Sequence, residues 1–346
     1  MRNDGKDAMD DRFRLLEQWL SARSGGRPFR LAPASADASF RRYFRATWDD
    51  PPPGGAPTRI VMDAPPGKED CAPFVRIAAL LRDAGLNAPE VLDADIAQGF
   101  LLLGDLGDRT YLSVLDAGNA TQLFDDALGA LVTWQGATRP DVLPPYDEVI
   151  LRREMALFPE WYVGRHLGVQ LGAPQREGLE CVFQALVDCC LAQPRVYVHR
   201  DFMPRNLMVC EPNPGILDFQ DALCGPIAYD VASLFRDAFI SWEEERVLDW
   251  CVRYWEKARK AGLPVRADFG EFWREVEWTG LQRHLKVLGI FARLTHRDGK
   301  PAYVADTPRF LAYARPVARR YRALAPLARL LDDLDACAPA PGPAAG

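Results

Sequence analysis

Apolar positions in the first hundred residues follow two spacings, one typical of helices and one typical of short strands. Residues 10–23 repeat apolar side chains at helical spacing from Phe13 to Leu20, and glycines follow at 25–26, so a helix is predicted there. Strand-like runs occupy 29–31, 40–48, 59–62, 91–94 and 100–103, and a second helical pattern covers about 70–84. This segment predicts a small lobe of mostly antiparallel strands around one helix.

After Gly104 the apolar spacing is helical over longer stretches. Helices are predicted at 120–138, 147–168, 174–192, 229–239, 243–261, 269–294 and 308–334, with short strands at 196–198 and 215–217. The chain therefore predicts an α+β fold with two lobes. Residues 1–104 form the β-rich lobe with its leading helix at 10–23, and residues 105–337 form the larger, mainly helical lobe. The Ala/Pro/Gly-rich end at 338–346 is predicted to be a flexible tail.

Composition narrows the class of protein. The 346 residues are 48% hydrophobic and 26% charged, which is enough apolar material for a sizeable core. The net charge of -6 lacks the basic footprint of a nucleic-acid-binding protein, so no nucleic-acid partner is expected. No apolar run approaches the roughly 18 residues of a membrane span, and the polar N-terminus is unlike a signal peptide, so no membrane partner is expected either. The eight cysteines form no CxxC pair, which favours reduced thiols and a cytoplasmic location.

Several common nucleotide-binding and hydrolase motifs are missing from the chain. Neither GxGxxG nor GxxxxGK[ST] occurs, and GxSxG is absent too. By motif, the chain is therefore not a Rossmann, P-loop or α/β-hydrolase enzyme.

The segment with the clearest chemistry joins the two short strands of the second lobe. It contains His199-Arg-Asp201 followed by four residues and Asn206, and Asp218 comes twelve residues later after an apolar run. Phosphoryl transfer needs a carboxylate that accepts the proton of the attacking hydroxyl, and it needs oxygen ligands for Mg²⁺. We interpret Asp201 as the proton acceptor and Asn206 and Asp218 as the magnesium ligands. The alternative is a polar hairpin turn whose Asp and Asn stabilise their own backbone.

These motifs resemble the aminoglycoside phosphotransferase and choline kinase superfamily, which shares the protein-kinase fold. The resemblance covers roughly residues 10–335. The stretches that carry it are 37–45, 62–66, 158–165, 218–222, 225–230, 233–237 and 281–290, together with the HRD loop. The resemblance implies a two-lobed protein-kinase-like fold, ATP as phosphoryl donor and Mg²⁺ as metal. It also implies the same roles for Asp201, Asn206 and Asp218.

Within the superfamily, these stretches are similar to bacterial kinases that phosphorylate the anomeric hydroxyl of N-acetylmuramate and N-acetylglucosamine in peptidoglycan recycling. The resemblance implies a small-molecule sugar as acceptor and a nucleotidyltransferase as the next enzyme of the pathway. Two alternatives stay open: another acceptor such as an aminoglycoside, choline or homoserine, and a non-catalytic kinase-like binding protein. Residues 231–346 carry 19 basic and 15 acidic residues, a net charge of +4 that suits an acceptor with a carboxylate.

The phosphate-binding residues depart from the protein-kinase pattern. Protein kinases place a Lys on the third strand and pair it with a Glu on the next helix. Here the strand reads Arg59-Ile-Val-Met-Asp63 and the helix lacks a central Glu, so both halves of the pair are predicted to be missing. Strand alternation puts Arg41 and Arg45 on one face and Arg42 on the other. The residues predicted to contact the nucleotide are Ser39, Phe40, Arg42, Arg45 and Lys68, and by the resemblance Leu103 and Asp105 at the hinge.

Two further sets of residues are predicted to serve the reaction. Arg205 precedes Asn206 and replaces the catalytic-loop Lys of protein kinases, because Met203 stands where that Lys would be. The acceptor is expected in the helical lobe, where polar side chains near Asp201 can bind a sugar. These candidates are Glu154, Glu160, Arg165, His166, Asp221, Arg236, Asp237 and His284.

Overall fold

The structure, a computed structural model, describes residues 4–36, 40–51 and 55–337. Ser39 and the predicted tail at 338–346 lie outside the described residues. The helices are α1 (Asp4–Arg23), α2 (Ala72–Asp83), α3 (Tyr111–Val114), α4 (Ala120–Gly136), α5 (Glu148–Met155), α6 (Ala173–Leu191), α7 (Tyr229–Phe235), α8 (Glu244–Lys260), α9 (Phe269–His296), α10 (Thr307–Arg320) and α11 (Ala325–Cys337). The strands are β1 (Arg30–Ala36), β2 (Arg42–Thr47), β3 (Thr58–Asp63), β4 (Val91–Asp95), β5 (Phe100–Leu103), β6 (Arg195–Val198), β7 (Leu207–Met208), β8 (Gly215–Ile216) and β9 (Leu223–Pro226).

The chain divides into two compact units. The first contains Met1–Val114 and Asn206–Asp221, and the second contains Leu115–Arg205 and Ala222–Gly346. The lobe boundary after residue 104 stays a prediction, and residues 206–221 group with the first unit although they follow the HRD loop in sequence.

A five-stranded antiparallel sheet forms the centre of the first unit. Its strand order is β1-β2-β3-β5-β4, and the register places Arg42 of β2 opposite Asp63 of β3. The apolar face of α1 packs on this sheet, with Leu16 and Leu20 fully buried beside Phe100. The helix that apolar spacing predicts at 10–23 is therefore confirmed, and it begins earlier, at Asp4.

The second unit is mainly helical, and its core surrounds α9. This helix buries Leu281, Leu285 and Leu288 against side chains from α5, α6, α10 and α11. The short pair β6–β9 lies beside these helices. Among the described residues, no helix is both long and apolar enough to cross a membrane.

Two predicted helices are interrupted, and proline contributes to both breaks. The helix expected at 147–168 ends with α5, and a π-helix follows over Phe158–His166, where Pro159 lacks the N–H of a regular turn. The helix expected at 308–334 is wrong as a single element. Tyr321 adopts an extended backbone (φ -114°, ψ 123°), and α11 begins anew with Pro326 in its first turn.

The crossing of α9 over the start of the π-helix requires a glycine. An ideal Cβ at Gly289 would lie 2.4 Å from the carbonyl carbon of Leu157. Replacing Gly289 by Ala is therefore expected to lower the free energy of unfolding by about 1–3 kcal/mol, measured by urea denaturation. Gly280→Ala in the same helix is the control, because its Cβ would make only ordinary contact, 3.5 Å from Ala232 Cβ. Equal stabilities of the two variants would contradict the close approach.

Candidate active site

One buried carboxylate holds the HRD loop in place. Asp230, in the first turn of α7, accepts hydrogen bonds from the backbone N–H groups of His199 at 2.6 Å and Arg200 at 2.9 Å. Arg200 has a φ of 78°, a left-handed conformation that is costly for a residue with a side chain. The two hydrogen bonds offset that cost and fix the direction in which Asp201 leaves the loop. Burial raises the pKa of Asp230 to about 7, although both hydrogen bonds act in the opposite direction.

Asp201 is ionised and faces a buried arginine. Its carboxylate lies 3.4 Å from Nη2 of Arg283, and the same nitrogen donates to Ser233 Oγ at 2.7 Å. Burial acts to raise the pKa of Asp201, but the positive charges of Arg283, Lys286 and Arg200 outweigh it, so the pKa lies below its ordinary value. With 36% of its side chain exposed, Asp201 is an accessible carboxylate that can accept a proton at neutral pH.

A network of buried charged side chains contacts the HRD loop through Arg200. Glu154 of α5 accepts from Lys286 Nζ at 3.1 Å and from Gln282 Nε2 at 3.2 Å, and it also pairs with Arg200 and Tyr146. Burial raises the pKa of Glu154, but Lys286 and Arg200 more than compensate, so the net shift is downward. Glu154 is 6% exposed, and its contacts are with the protein. Glu154, a candidate for binding the acceptor, therefore contacts Arg200, the residue before Asp201 in the HRD loop.

The second unit also contains Arg205, Arg236 and Asp237. Both arginines lie against aromatic rings. The Arg205 guanidinium lies 4.8 Å from the ring centroid of Phe239, and in the part of the chain that the structure describes it makes no ion pair. Asp237 is 1% exposed, and burial raises its pKa to about 6. Its Oδ2 has no hydrogen-bond partner among the described residues. Arg236 lies over Tyr313 at 5.5 Å. A buried carboxylate without a full set of donors is typical of a place where a ligand donates.

His284 is buried in this region and is neutral. Its ring stacks on Tyr313 with a centroid distance of 5.1 Å, and burial, with Arg236 and Arg283 nearby, lowers its pKa to about 3. The other acceptor candidates lie elsewhere on the surface. Glu160 and Arg165 are exposed on the π-helix, His166 Nδ1 lies 3.2 Å from His296 Nε2, and Asp221 is exposed at the end of the first unit.

Asn206 and Asp218 come together in the first unit. The pair β7–β8 joins them, the N–H of Leu217 donates to the Asn206 carbonyl at 2.9 Å, and Asn206 Nδ2 lies 3.4 Å from Asp218 Oδ2. Asp218 has a φ of 60°, a left-handed backbone like that of Arg200 in the HRD loop. One amide oxygen and one carboxylate are hard oxygen donors, and this donor set fits Mg²⁺.

Two of the predicted phosphate-binding arginines are engaged by carboxylates. Arg42 donates to the fully buried Asp63, which also binds Arg12 of α1 at 2.6 Å. Arg45 donates to Asp105 Oδ2 at 2.7 Å and to the Gly107 carbonyl at 2.8 Å. These contacts join the sheet to α1 and to the segment after β5.

The other predicted nucleotide contacts lie near the ends of the strands. Lys68 Nζ is 4.9 Å from the ring centroid of Phe40. Leu103 is 2% exposed and pairs with Ile60. The sequence predicts that this chain lacks the Lys–Glu pair of protein kinases. The structure contains a different cation–carboxylate pair that the sequence pattern did not indicate, because Arg41 binds Glu69 in the loop before α2.

Arg283 and Lys286 were not among the predicted site residues either. Both lie on α9, where four polar side chains between 282 and 286 are buried among apolar neighbours. Such a run of polar positions within an apolar pattern is the signal that could have indicated them.

Known proteins resemble this chain in sequence and in fold. The model of the phosphotransferase enzyme family matches residues 30–269. The chain belongs to that family. An N-acetylmuramate/N-acetylglucosamine kinase of Pseudomonas aeruginosa is 52% identical to this phosphotransferase over 335 residues, covering 94% of this chain and 97% of the relative. A protein of the same name from Caulobacter vibrioides is 31% identical, covering 85% and 89%.

Solved structures of other kinases share the fold. A choline kinase from Streptococcus pneumoniae superposes with a TM-score of 0.60 at 15% identity, covering 88% of this chain and 99% of that one. An ADP-bound aminoglycoside phosphotransferase superposes with a TM-score of 0.55 at 15% identity, covering 86% and 96%. The predicted kinase-like α+β fold is confirmed.

Proposed function

We propose that this phosphotransferase is an ATP-dependent sugar kinase that phosphorylates the anomeric hydroxyl of N-acetylmuramate or N-acetylglucosamine. The observation that carries the proposal is the 52% identity, over nearly the full length of both chains, to the kinase named for these two sugars. The ionised Asp201 beside Arg283 supports it independently, because a hydroxyl acceptor needs a carboxylate that can take its proton.

In the proposed reaction the anomeric oxygen attacks the γ-phosphorus of ATP. The bond between that phosphorus and the β–γ bridging oxygen breaks, ADP leaves with the bond's electron pair, and the hydroxyl proton goes to Asp201. Asp230 and Arg283 hold Asp201 in position through the contacts described above. Asn206 and Asp218 would hold Mg²⁺, which neutralises phosphate charge when bound. Arg205 serves as a further cation for the transferred phosphoryl group.

We place the acceptor near Arg205, Arg236 and Asp237. Arg205 suits a sugar with a carboxylate, such as N-acetylmuramate, whereas Arg236 is already paired with Glu244 at 3.7 Å. The buried Asp237 Oδ2 can accept a hydrogen bond from a sugar hydroxyl or amide N–H, and the neutral His284 can donate or accept one. The contribution of Glu160, Arg165, His166 and Asp221 stays a prediction.

The purified protein is expected to release ADP from ATP and Mg²⁺ when N-acetylmuramate or N-acetylglucosamine is added. Parallel reactions contain kanamycin, choline or homoserine, and ³¹P NMR of the product distinguishes a phosphate at C1 from one at another hydroxyl. Turnover confined to kanamycin, choline or homoserine would refute the sugar assignment. ATP binding without turnover on any acceptor would favour a non-catalytic binding protein.

A further inference from the structure

Arg41 and Glu69 form a largely buried ion pair at the start of β2. Arg41 Nη2 lies 3.2 Å from Glu69 Oε2, and the side chains are only 10% and 15% exposed. The other carboxylate oxygen, Glu69 Oε1, accepts from the backbone N–H of Phe40 at 3.2 Å. Glu69 therefore fixes both the chain that leads into Arg41 and the guanidinium itself.

The hairpin that carries Asp218 packs on α2, because the ring centroid of Phe219, the next residue, lies 4.7 Å from that of Phe74. Glu69, which orients Arg41, stands in the loop just before the same helix. Burial lowers the pKa of Arg41, but its hydrogen bond to Tyr43 and the charges of Glu69 and Asp218 outweigh burial, so the net shift is upward. Nucleotide phosphates gathered at Asp218, a candidate metal ligand, need a cation in the same neighbourhood.

The neighbouring arginines are less suited to that task. Arg42 places two of its nitrogens on the buried Asp63. Arg45 is divided between Asp105 and the Gly107 carbonyl. Moving Arg42 to a phosphate would leave the fully buried Asp63 with Arg12 as its single cation among the described residues, and moving Arg45 would remove the cation paired with the largely buried Asp105. Both changes are expensive.

We propose that Arg41, oriented by Glu69, contacts the nucleotide phosphates and that this pair replaces the Lys–Glu pair that β3 and α2 lack. A guanidinium offers five N–H donors in a planar fork, so a carboxylate and a phosphate can bind on different edges. The inference rests on the proposed function, because it assumes that the chain binds ATP. The inference assigns to Arg41 the phosphate contact that the sequence alone assigned to Arg42 or Arg45.

Isothermal titration with ADP and with adenosine tests this assignment. Arg41→Gln is expected to raise the Kd of ADP by about 10- to 100-fold, since it removes a charge-assisted hydrogen bond, and to leave the Kd of adenosine within about twofold. Arg41→Lys keeps the charge but loses the fork, so a smaller rise of about 3- to 10-fold is expected. Glu69→Gln should also raise the Kd of ADP by about 3- to 10-fold, because Arg41 loses its orientation. The rise should persist in EDTA, because Arg41 acts on phosphate directly.

Arg59→Gln is the matched control. It removes the same charge from β3 of the same sheet, where, among residues 4–36, 40–51 and 55–337, the guanidinium donates to the neighbouring Thr58 carbonyl alone. Unchanged ADP binding in folded Arg41→Gln would overturn the inference, as would a rise that disappears in EDTA. If Arg41→Gln loses adenosine binding and thermal stability as well, Arg41→Lys decides: a folded Lys variant that binds adenosine normally and ADP weakly supports the inference, and normal ADP binding overturns it. A wild-type protein that binds neither ATP nor ADP would refute the proposed function itself.

Discussion

Replacing Asp201 by Asn is expected to lower kcat by about 10²- to 10⁴-fold, the usual contribution of a positioned general base. The amide has the shape of the carboxylate but cannot accept the proton of the sugar hydroxyl. The fold should survive, because Arg283 keeps its hydrogen bond to Ser233 at 2.7 Å and Asp230 still holds the loop. The Kd of ADP should stay within about twofold of the wild-type value, since the proposed phosphate and metal ligands are unchanged.

Steady-state assays across pH sharpen this test. The pKa of Asp201 lies below the ordinary aspartate value, so this group should cause no loss of kcat above about pH 5 in the wild type. The control is Asp249→Asn on α8, which removes a surface carboxylate paired with Arg253 at 2.8 Å and should retain full activity. An Asp201→Asn enzyme that turns over at the wild-type rate would show that another group takes the proton.

Most of the fold could be predicted from apolar spacing. The strand at 100–103 is a continuous apolar run, the helix at 120–138 has long helical periodicity, and both appear close to their predicted bounds. Spacing alone could not locate the breaks near Pro159 and Tyr321, because apolar side chains continue in helical register across both. Apolar spacing also failed to predict β9, whose four residues pair with β6 in the second unit.

The candidate site can be inferred from the sequence where chemistry dictates residue type, but not where it depends on pairing between distant residues. The sequence indicates Asp201, Asn206 and Asp218 because proton transfer and magnesium binding restrict the residue types. It does not indicate the partner of each arginine. Arg41 and Glu69 are 28 positions apart, and only the folded sheet brings them together. A short sequence motif indicates which residue types a reaction needs. Only the tertiary fold determines which distant residues form ion pairs.

Glu154→Gln is expected to cost about 3–5 kcal/mol of unfolding free energy, because it leaves Arg200 and Lys286 buried without their counter-charge. The substitution preserves side-chain volume, so a cavity does not contribute. The folded-state pKa of Glu154 is lowered, so its ionised form stabilises the protein fully above the ordinary glutamate pKa of about 4.3, and this contribution is lost as pH falls through the folded pKa. The penalty of the variant should therefore be largest near pH 7 and shrink in acid.

Urea denaturation at pH 7 and at pH 4 measures both the size and the sign of this effect. The control is Glu148→Gln on the same helix, whose carboxylate is 49% exposed and binds Arg152 at 2.6 Å; an exposed i,i+4 pair contributes only about 0.3–0.5 kcal/mol. Adding Lys286→Met to Glu154→Gln removes one of the two stranded charges and should recover part of the lost stability, giving a positive coupling in the double-mutant cycle. A loss below about 1 kcal/mol for Glu154→Gln would mean that Glu154 is not the anion that stabilises this buried cluster.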